Sequence, residues 1–159
     1  MPNPTTTTTI FTSASPLQAL ECDSIASTTF NAPLTPTAFI ARESYMSSLP
    51  LASNGGLKTW CLCANDETRR VLATCKTIRR EVLVTDGKGT REDLAFCVGN
   101  VVVREGERGR GRGGEMLGSL GGELDGIEVG EEEARGCGSL LYSAKEEVSV
   151  VCGREIGTC

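Results

Sequence analysis

Residues 94–103, LAFCVGNVVV, carry no charged side chain. The run is half of the ~20 residues needed to span a bilayer. Its β-branched and aromatic content reads as a central strand covered on both faces rather than as a one-sided edge. That commits the rest of the chain to covering it. The sequence then changes character abruptly. Arg108, Arg110 and Arg112 alternate with Gly109, Gly111 and the pair Gly113–Gly114. From Gly113 onward Met116, Leu117, Leu120 and Leu124 recur at helical spacing, which predicts a helix. Gly118, Gly121 and Gly122 weaken it by roughly 1 kcal/mol each relative to alanine.

A strand, a glycine-rich turn and a helix make an anion site. The first amides of a helix have no partner inside it and point beyond its end. Glycines at 109, 111, 113 and 114 let the main chain approach a phosphate with no Cβ in the way. The arginines add charge-assisted bonds worth about 1.5–3 kcal/mol each when well formed. A pyrophosphate suits this chemistry.

The rest of the chain supplies the layers. Thr6–Phe11 is rich in β-branched residues and reads as a first strand. Ser15-Pro16 is an N-cap with proline in the first helical position. It predicts a helix to about Ile25 that buries Leu17, Leu20 and Ile25. Thr35-Pro36 repeats the signal, and Phe39, Ile40, Met46 and Leu49 extend a second helix until Pro50 limits it. KTWCLCA alternates as a strand with Trp60 and Leu62 on one face. ANDETR is a hairpin loop, and RVLATCKTI is the partner strand, running on through EVLVT. TDGKGTRED is an exposed turn. GCGSLLYS, residues 136–143, is a last strand. The fold class is α/β (α+β), a mixed and largely antiparallel sheet with flanking helices in the order βαα-β-β-β-α-β. Residues 1–5 are expected to be a flexible tail, 6–143 the domain, and 144–159 an irregular tail. GIEVGEEEAR reads as a solvated acidic loop. Tyr45 and Trp60 read as core or half-buried, and TIRR (Thr77–Arg80) as a charged strand end, with the lining of a substrate cleft as the alternative.

Composition excludes several classes. The chain has 159 residues and a formal net charge of −5, so its surface as a whole does not advertise nucleic acid. An RGG-like RNA contact is the weaker alternative, because the arginine–glycine run is single and has no interleaved aromatics. No apolar run suits a membrane span, and the start lacks the basic region and apolar core of a secretory signal. There are eight cysteines and no histidine. No C-x-x-C pair occurs, so Cys/His zinc sites and His-based triads are removed. Cys61, Cys75 and Cys97 fall in apolar strands and read as buried free thiols. The expected compartment is reducing, cytoplasm first and nucleus second.

Three motifs compete for the turn. Gly109, Gly111 and Gly114 spell G-x-G-x-x-G, but the dinucleotide fingerprint wants an early βαβ unit, whereas a hairpin precedes it here. The acidic residues some 20 positions on, Glu131–Glu133, fall in a loop-like run. No G-K-[ST] follows, which excludes a P-loop. Arg108, Gly111 and Gly113 match [Q/R]-x-x-G-x-[G/A] residue for residue.

With the element order around it, that motif makes the chain resemble the GNAT superfamily of acetyl-CoA-dependent N-acetyltransferases over most of residues 15–143. It looks most similar to fungal lysine acetyltransferase-like proteins. The segments that carry the resemblance are LTPTAFIARESYMSSLPLASNGGLKTWCLC, RVLATCKTIRREVLV, VGNVVV, RGRGRGGEMLGSLGGEL and LLYS. The resemblance implies acetyl transfer from acetyl-CoA to the primary amine of a small molecule, lysine among the candidates. A noncatalytic CoA- or nucleotide-binding fragment is the alternative. It implies that the backbone of Val101, Val102 and Val103 meets the pantetheine arm where the fourth strand splays from the fifth. Arg108, Gly109, Arg110, Gly111, Arg112, Gly113 and Gly114 match its pyrophosphate loop. Glu43 matches a recurrent acidic position in the second helix and is the candidate amine holder, with an exposed helix salt bridge as the rival role.

The departures from the family are specific. Glu105 and Glu107 stand where relatives have proline and an aromatic, and two carboxylates beside a phosphate cradle repel the ligand unless they turn outward and pair with Arg104 or Arg112. Cys97 stands near the position of a catalytic Glu on the fourth strand, with Glu92 and Asp93 upstream, so these three are the candidate catalytic groups. Tyr142 does not match the tyrosine some relatives use. After LLYS the family's further elements are not recognisable, which leads to the expectation of a truncated form with an exposed fifth-strand edge and weak turnover. Oligomeric state is not readable.

Overall fold

A computed structural model describes residues 8–87 and 89–126, and beyond them the backbone of 128–129, 134–135, 138–141 and 149–151. The elements follow the expected order. They are β1 (Thr9–Ser13), α1 (Pro16–Phe30), α2 (Pro36–Ser48), β2 (Leu57–Ala64), β3 (Val71–Asp86), β4 (Gly89–Val103), α3 (Arg112–Asp125), β5 (Glu128–Val129), β6 (Ala134–Arg135), β7 (Gly138–Leu141) and β8 (Ser149–Val151). Short 3₁₀ turns occupy Pro50–Ala52 and Glu105–Glu107. The main sheet has the order β1-β2-β3-β4-β7-β8. All its pairings are antiparallel except β4 with β7, which is parallel.

Both sheet faces are covered. Trp60, Leu62, Ala73, Cys75, Phe96 and Val98 face α3, where Met116, Leu120 and Leu124 close one core. Cys61, Cys63, Val71 and Val102 face the other way, onto Cys22, Ile25 and Ala26 of α1 and Phe39 of α2. Trp60 donates its indole N–H to Thr77 Oγ1 at 2.9 Å and stacks on Phe11 with ring centroids 5.4 Å apart. It is core, as expected. Tyr45 is not: it is exposed.

The helix starts follow the capping rules. Ser15 Oγ accepts from the Gln18 amide at 3.3 Å, and Gln18 Oε1 accepts from the Ser15 amide at 3.0 Å, a complete capping box. Thr35 Oγ1 accepts from the Ala38 amide at 3.2 Å. The expected buried face of α1 is corrected. Leu17 and Leu20 are 81% and 57% exposed, and the helix runs on to Phe30. The stripe against the sheet is Cys22, Asp23, Ile25, Ala26 and Ser27. That stripe packs chiefly over β3 and β4, and the bulky leucines are turned outward.

Further boundaries move. TDGKGTRED is not an exposed loop throughout, because β3 and β4 pair as far as Asp86 opposite Gly89. The turn shrinks and Thr90–Asp93 become strand. The acidic run expected as a loop contains the paired segments β5 and β6. The fifth strand of the sequence reading is β7, and it is not an edge. Ser149–Val151, within the tail expected to be irregular, pairs with it as β8, using the β-branched run VSVV. Residues 1–5, Glu131–Glu133 and Tyr142 lie outside the described residues, as does most of 144–159.

The two cores give a direct contrast. Met116 is 0% exposed, so Met116→Ala is expected to cost about 2–5 kcal/mol of stability. Leu17→Ala, on the helix expected to bury it, should cost under about 0.5 kcal/mol. Urea midpoints of the two variants check both.

Candidate functional site

The site is built around an irregularity in β4. Thr74 pairs with Val102, but Lys76 pairs with Gly99, so Cys75 faces two residues, Asn100 and Val101. This is a β-bulge, and Asn100 adopts φ +51° within it. Asparagine tolerates that left-handed conformation better than most residues. The extra residue resets the alternation. Phe96 and Val98 before the bulge, and Val101 and Val103 after it, all turn toward α3. Val102 turns toward α1 and α2.

At the same place β4 loses a neighbour. β7, described as far as Leu141, pairs with Ala95–Val98. Among the described residues, Gly99–Val103 therefore have a strand partner only on the β3 side. Their outer backbone groups form an open edge about 13 Å long, at ~3.3 Å per residue. The side chains of Val101, Val102 and Val103 are packed, and among the described residues their outer main chain faces no strand.

The edge leads into the glycine–arginine turn. Gly109 and Gly111 have φ +75° and +77°, which favours glycine at both. Gly111 is the N-cap of α3, and no side chain caps the helix. A Cβ at Gly109, Gly111 or Gly114 would meet nothing within 4 Å, whereas at Gly113 it would meet Val103 Cγ2 at 3.5 Å. The open side of the turn is thus a concavity lined by main chain, with uncapped helix amides at its base. Gly113 packs the helix onto the strand.

The turn's electrostatics resolve the question of the two glutamates. Glu107 is 6% exposed and turned inward. Its Oε1 accepts from Arg70 Nη2 at 2.8 Å, and its Oε2 lies 3.5 Å from Arg110 and 4.0 Å from Arg112. Arg70, across on β3's approach, was not foreseen as its partner. Glu105 stays exposed. Arg104 is not its partner either: it pairs with Glu21 and donates to Val71 O at 2.6 Å. Arg112 also bonds Glu115 at 3.0 Å. Arg108 donates only to Val103 O, at 3.3 Å, so among the described residues of the turn it is the cation without a carboxylate.

On the opposite side of the bulge is a cavity of about 330 Å³. It is lined by Arg42, Glu43, Met46, Leu57, Lys76 and Ile78, with Gly99 and Asn100 as its floor. One wall is a buried ion network. Lys76 Nζ lies 2.7 Å from both Asp23 Oδ1 and Glu43 Oε2. Glu43 Oε1 accepts from Arg42 Nη2 at 2.7 Å, and Glu43 Oε2 also accepts from Asn100 Nδ2 at 3.3 Å. Burial pushes the Glu43 carboxyl up, but the bonds from Lys76 and Arg42 outweigh it and hold it below its usual value. Glu43 is therefore neither an exposed helix ion pair nor a carboxylate with an idle oxygen.

The three candidate catalytic groups are not together. Glu92 is exposed and Asp93 is buried beside Arg91, 3.6 Å away. Both sit on the ribbon where β4 pairs only with β3, and Asp93 is about 20 Å along the strand from the bulge. Cys97 is close to the bulge and shares a face with its direct partner Ile78, a wall of the cavity. Cys97, Cys61 and Cys75 are free thiols. Burial pushes Cys75 up to about 12, which keeps it protonated and inert.

Asp23, Lys76 and Asn100 were missed by sequence reasoning, but two left signals. A lone lysine inside LATCKTI must find a buried partner, and Gly99-Asn100 interrupts a strand as bulges do.

No known family's sequence profile matches the chain, and no curated protein matches it in sequence. Solved structures do. A probable N-acyltransferase from Enterococcus faecalis superimposes with a TM-score of 0.60 at 13% identity, covering 85% of this chain. This chain spans only 29% of that longer protein. A predicted acetyltransferase from Clostridium acetobutylicum, solved with acetyl-CoA, gives 0.57 at 14% identity over 87% of this chain and 82% of its own. Arabidopsis thaliana NAA60, solved with a bisubstrate analogue, gives 0.55 at 16% identity over 84% and 74%. At these identities the likeness establishes the fold, which is that of the GNAT N-acetyltransferases.

The ion network generates a prediction. Lys76→Met leaves Asp23 and Glu43 buried without their shared cation and should cost about 3–5 kcal/mol. Because Glu43 titrates below its unfolded value, its contribution is present above that value, near 4.3, and is lost as the pH falls through the folded one. Urea midpoints between pH 7 and 3 should fall in the parent chain, and fall less in Glu43→Gln.

Proposed function

We propose that this chain binds acetyl-CoA along the open β4 edge and moves its acetyl group to the primary amine of a small molecule, free lysine being the acceptor favoured by the sequence resemblance. The observation that carries the reading is the continuity of an uncapped, glycine-lined turn with an unpaired strand edge that ends at a bulge over a cavity. The residues fit the ligand. The side of the turn at Gly109, Gly111 and Gly114 is open, with no protein atom within 4 Å of where a Cβ would sit, which leaves room for a pyrophosphate. Arg108 has charge to spare, and Glu107 is withheld from the anion by Arg70, Arg110 and Arg112. The edge of Gly99–Val103 suits a pantetheine arm that bonds main chain. Bound acetyl-CoA would supply the activated acyl group.

The placement of the two ends follows from order along the chain. With phosphate at residues 108–114, the far end of the arm falls at Gly99–Asn100, the floor of the cavity. The cavity is then the acceptor pocket. Met46, Leu57 and Ile78 give it apolar walls suited to an aliphatic amine.

A noncatalytic CoA binder is the second reading, and one observation favours it. Glu43, the carboxylate of the pocket, has both oxygens engaged, and its lowered pKa makes it a poor proton acceptor. Mass analysis of lysine incubated with the protein and acetyl-CoA separates the two readings. Acetyl-lysine formation supports transfer; binding without product supports the second reading.

The turn is tested directly. Gly111→Glu places a side chain and a negative charge in the concavity and should abolish CoA binding in calorimetry. Gly114→Ala, at a helical position with open space around it, should keep most of it. Affinity in the parent should weaken as salt rises, since the contact is ionic. Unchanged affinity in Gly111→Glu would remove the turn from the site.

A further inference from the structure

Asn100 belongs to two places at once. Its backbone forms the bulge at which β7 leaves β4, and its residue is part of the floor of the cavity under α2. Its side chain does neither job. It reaches across the cavity wall and donates Nδ2–H to Glu43 Oε2 at 3.3 Å.

We infer that this bond is a clamp: Asn100 is a positioning residue that fixes the bulge of β4 to α2, and so fixes the acyl end of the CoA edge against the acceptor pocket. The inference rests on the acetyl-CoA reading above.

The physical case has three parts. First, the bulge needs holding. A non-glycine residue at φ +51° occupies a sparsely populated region, and this one lies where β4 has a strand on one side only. Gly99 beside it has no Cβ to pack, and the space where one would sit is open. Second, Glu43 is a rigid anchor. Arg42 holds one oxygen, and Lys76 holds the other while paired with Asp23 of α1. The bulge is thereby referred to α1, α2 and β3 together. Third, the orientation of the peptide groups on either side of Asn100 depends on its φ and ψ. Those groups are the ones presented at the far end of the open edge. Glu43 is well suited to this task and badly suited to proton abstraction, since its lowered pKa and filled oxygens favour holding still.

Two variants test it. Asn100→Asp keeps size and tolerance for a left-handed backbone, but sets a carboxylate against Glu43. Asn100→Gly keeps the backbone conformation and deletes the clamp. Thermal unfolding shows that each is folded. Calorimetry then gives affinities for CoA and for acetyl-CoA, and hydrogen–deuterium exchange reads the amides of residues 99–102. CoA affinity should fall less than acetyl-CoA affinity, because the pyrophosphate turn is untouched and only the far end of the arm meets the bulge. The preference for acetyl-CoA over CoA should drop by about tenfold, the factor expected for one misplaced hydrogen bond, and the bulge amides should exchange faster. Parent-like preference and exchange in both variants overturns the clamp while leaving the acetyl-CoA reading intact. Equal affinity of the parent chain for the two ligands also overturns it. Binding of neither ligand overturns the reading itself, and the clamp with it.

Discussion

The structure turns on one constraint. β4 must be an interior strand for part of its length and an edge for the rest. From Ala95 to Val98 it is paired on both sides, with β3 and β7. After Val98 its partner among the described residues is β3. An apolar strand that simply ran out of the sheet would expose alternate side chains to water on the wrong face. The bulge at Asn100 avoids that by adding one residue and so shifting the alternation. Val101 and Val103 go to the α3 core and Val102 to the α1–α2 core. The side chains are satisfied by burial, and the outer main chain is left free. A ligand that bonds backbone can then dock along a segment whose side chains contribute packing alone.

An acidic chain can still gather positive charge locally. The charge arrangement at the turn shows how. Three arginines and two glutamates fall within Glu105–Arg112, and a linear reading suggests near cancellation. In three dimensions the charges are sorted by depth. Glu107 goes inside and draws Arg70, Arg110 and Arg112 toward it, while Arg108 stays outside with only a carbonyl contact. A buried carboxylate is costly unless paired, so Glu107 organises the arginines around itself. The same residue that looks like a repulsive defect in the sequence orders the cradle's rim.

The sequence made some of this legible and hid the rest for physical reasons. Helix starts, the hairpin, the buried strand and the amphipathic α3 were readable because local chemistry decides them: caps at Ser15 and Thr35, period-2 alternation, and the Met116–Leu124 stripe. The glycine turn before α3 was readable because glycine at positive φ has few substitutes. The buried face of α1 was not. Its contacts depend on how the helix sits over β3 and β4, which turns Cys22 and Ala26 inward and Leu17 and Leu20 outward. The Asp23–Lys76–Glu43 network was hidden because its members come from three elements, and no periodicity links a helix carboxylate to a strand lysine. The extent of the β3–β4 ribbon was missed because Thr90–Asp93 look like turn residues until Gly89 pairs with Asp86.

The network bears on the cavity as well as on stability. Its two carboxylates, Asp23 and Glu43, are matched by two cations, Lys76 and Arg42. Arg42, Glu43 and Lys76 line the cavity, and Asp23 completes the network without lining it. The remaining surfaces are Met46, Leu57 and Ile78, with the glycine of the bulge below them. Methionine is adaptable in shape, while Leu57 and Ile78 are held at fixed strand positions, so the variable side of the pocket is α2 and the fixed side is the sheet. The shape of the cavity should accordingly be tuned from α2, by changes at position 46, without disturbing either the ion network or the bulge.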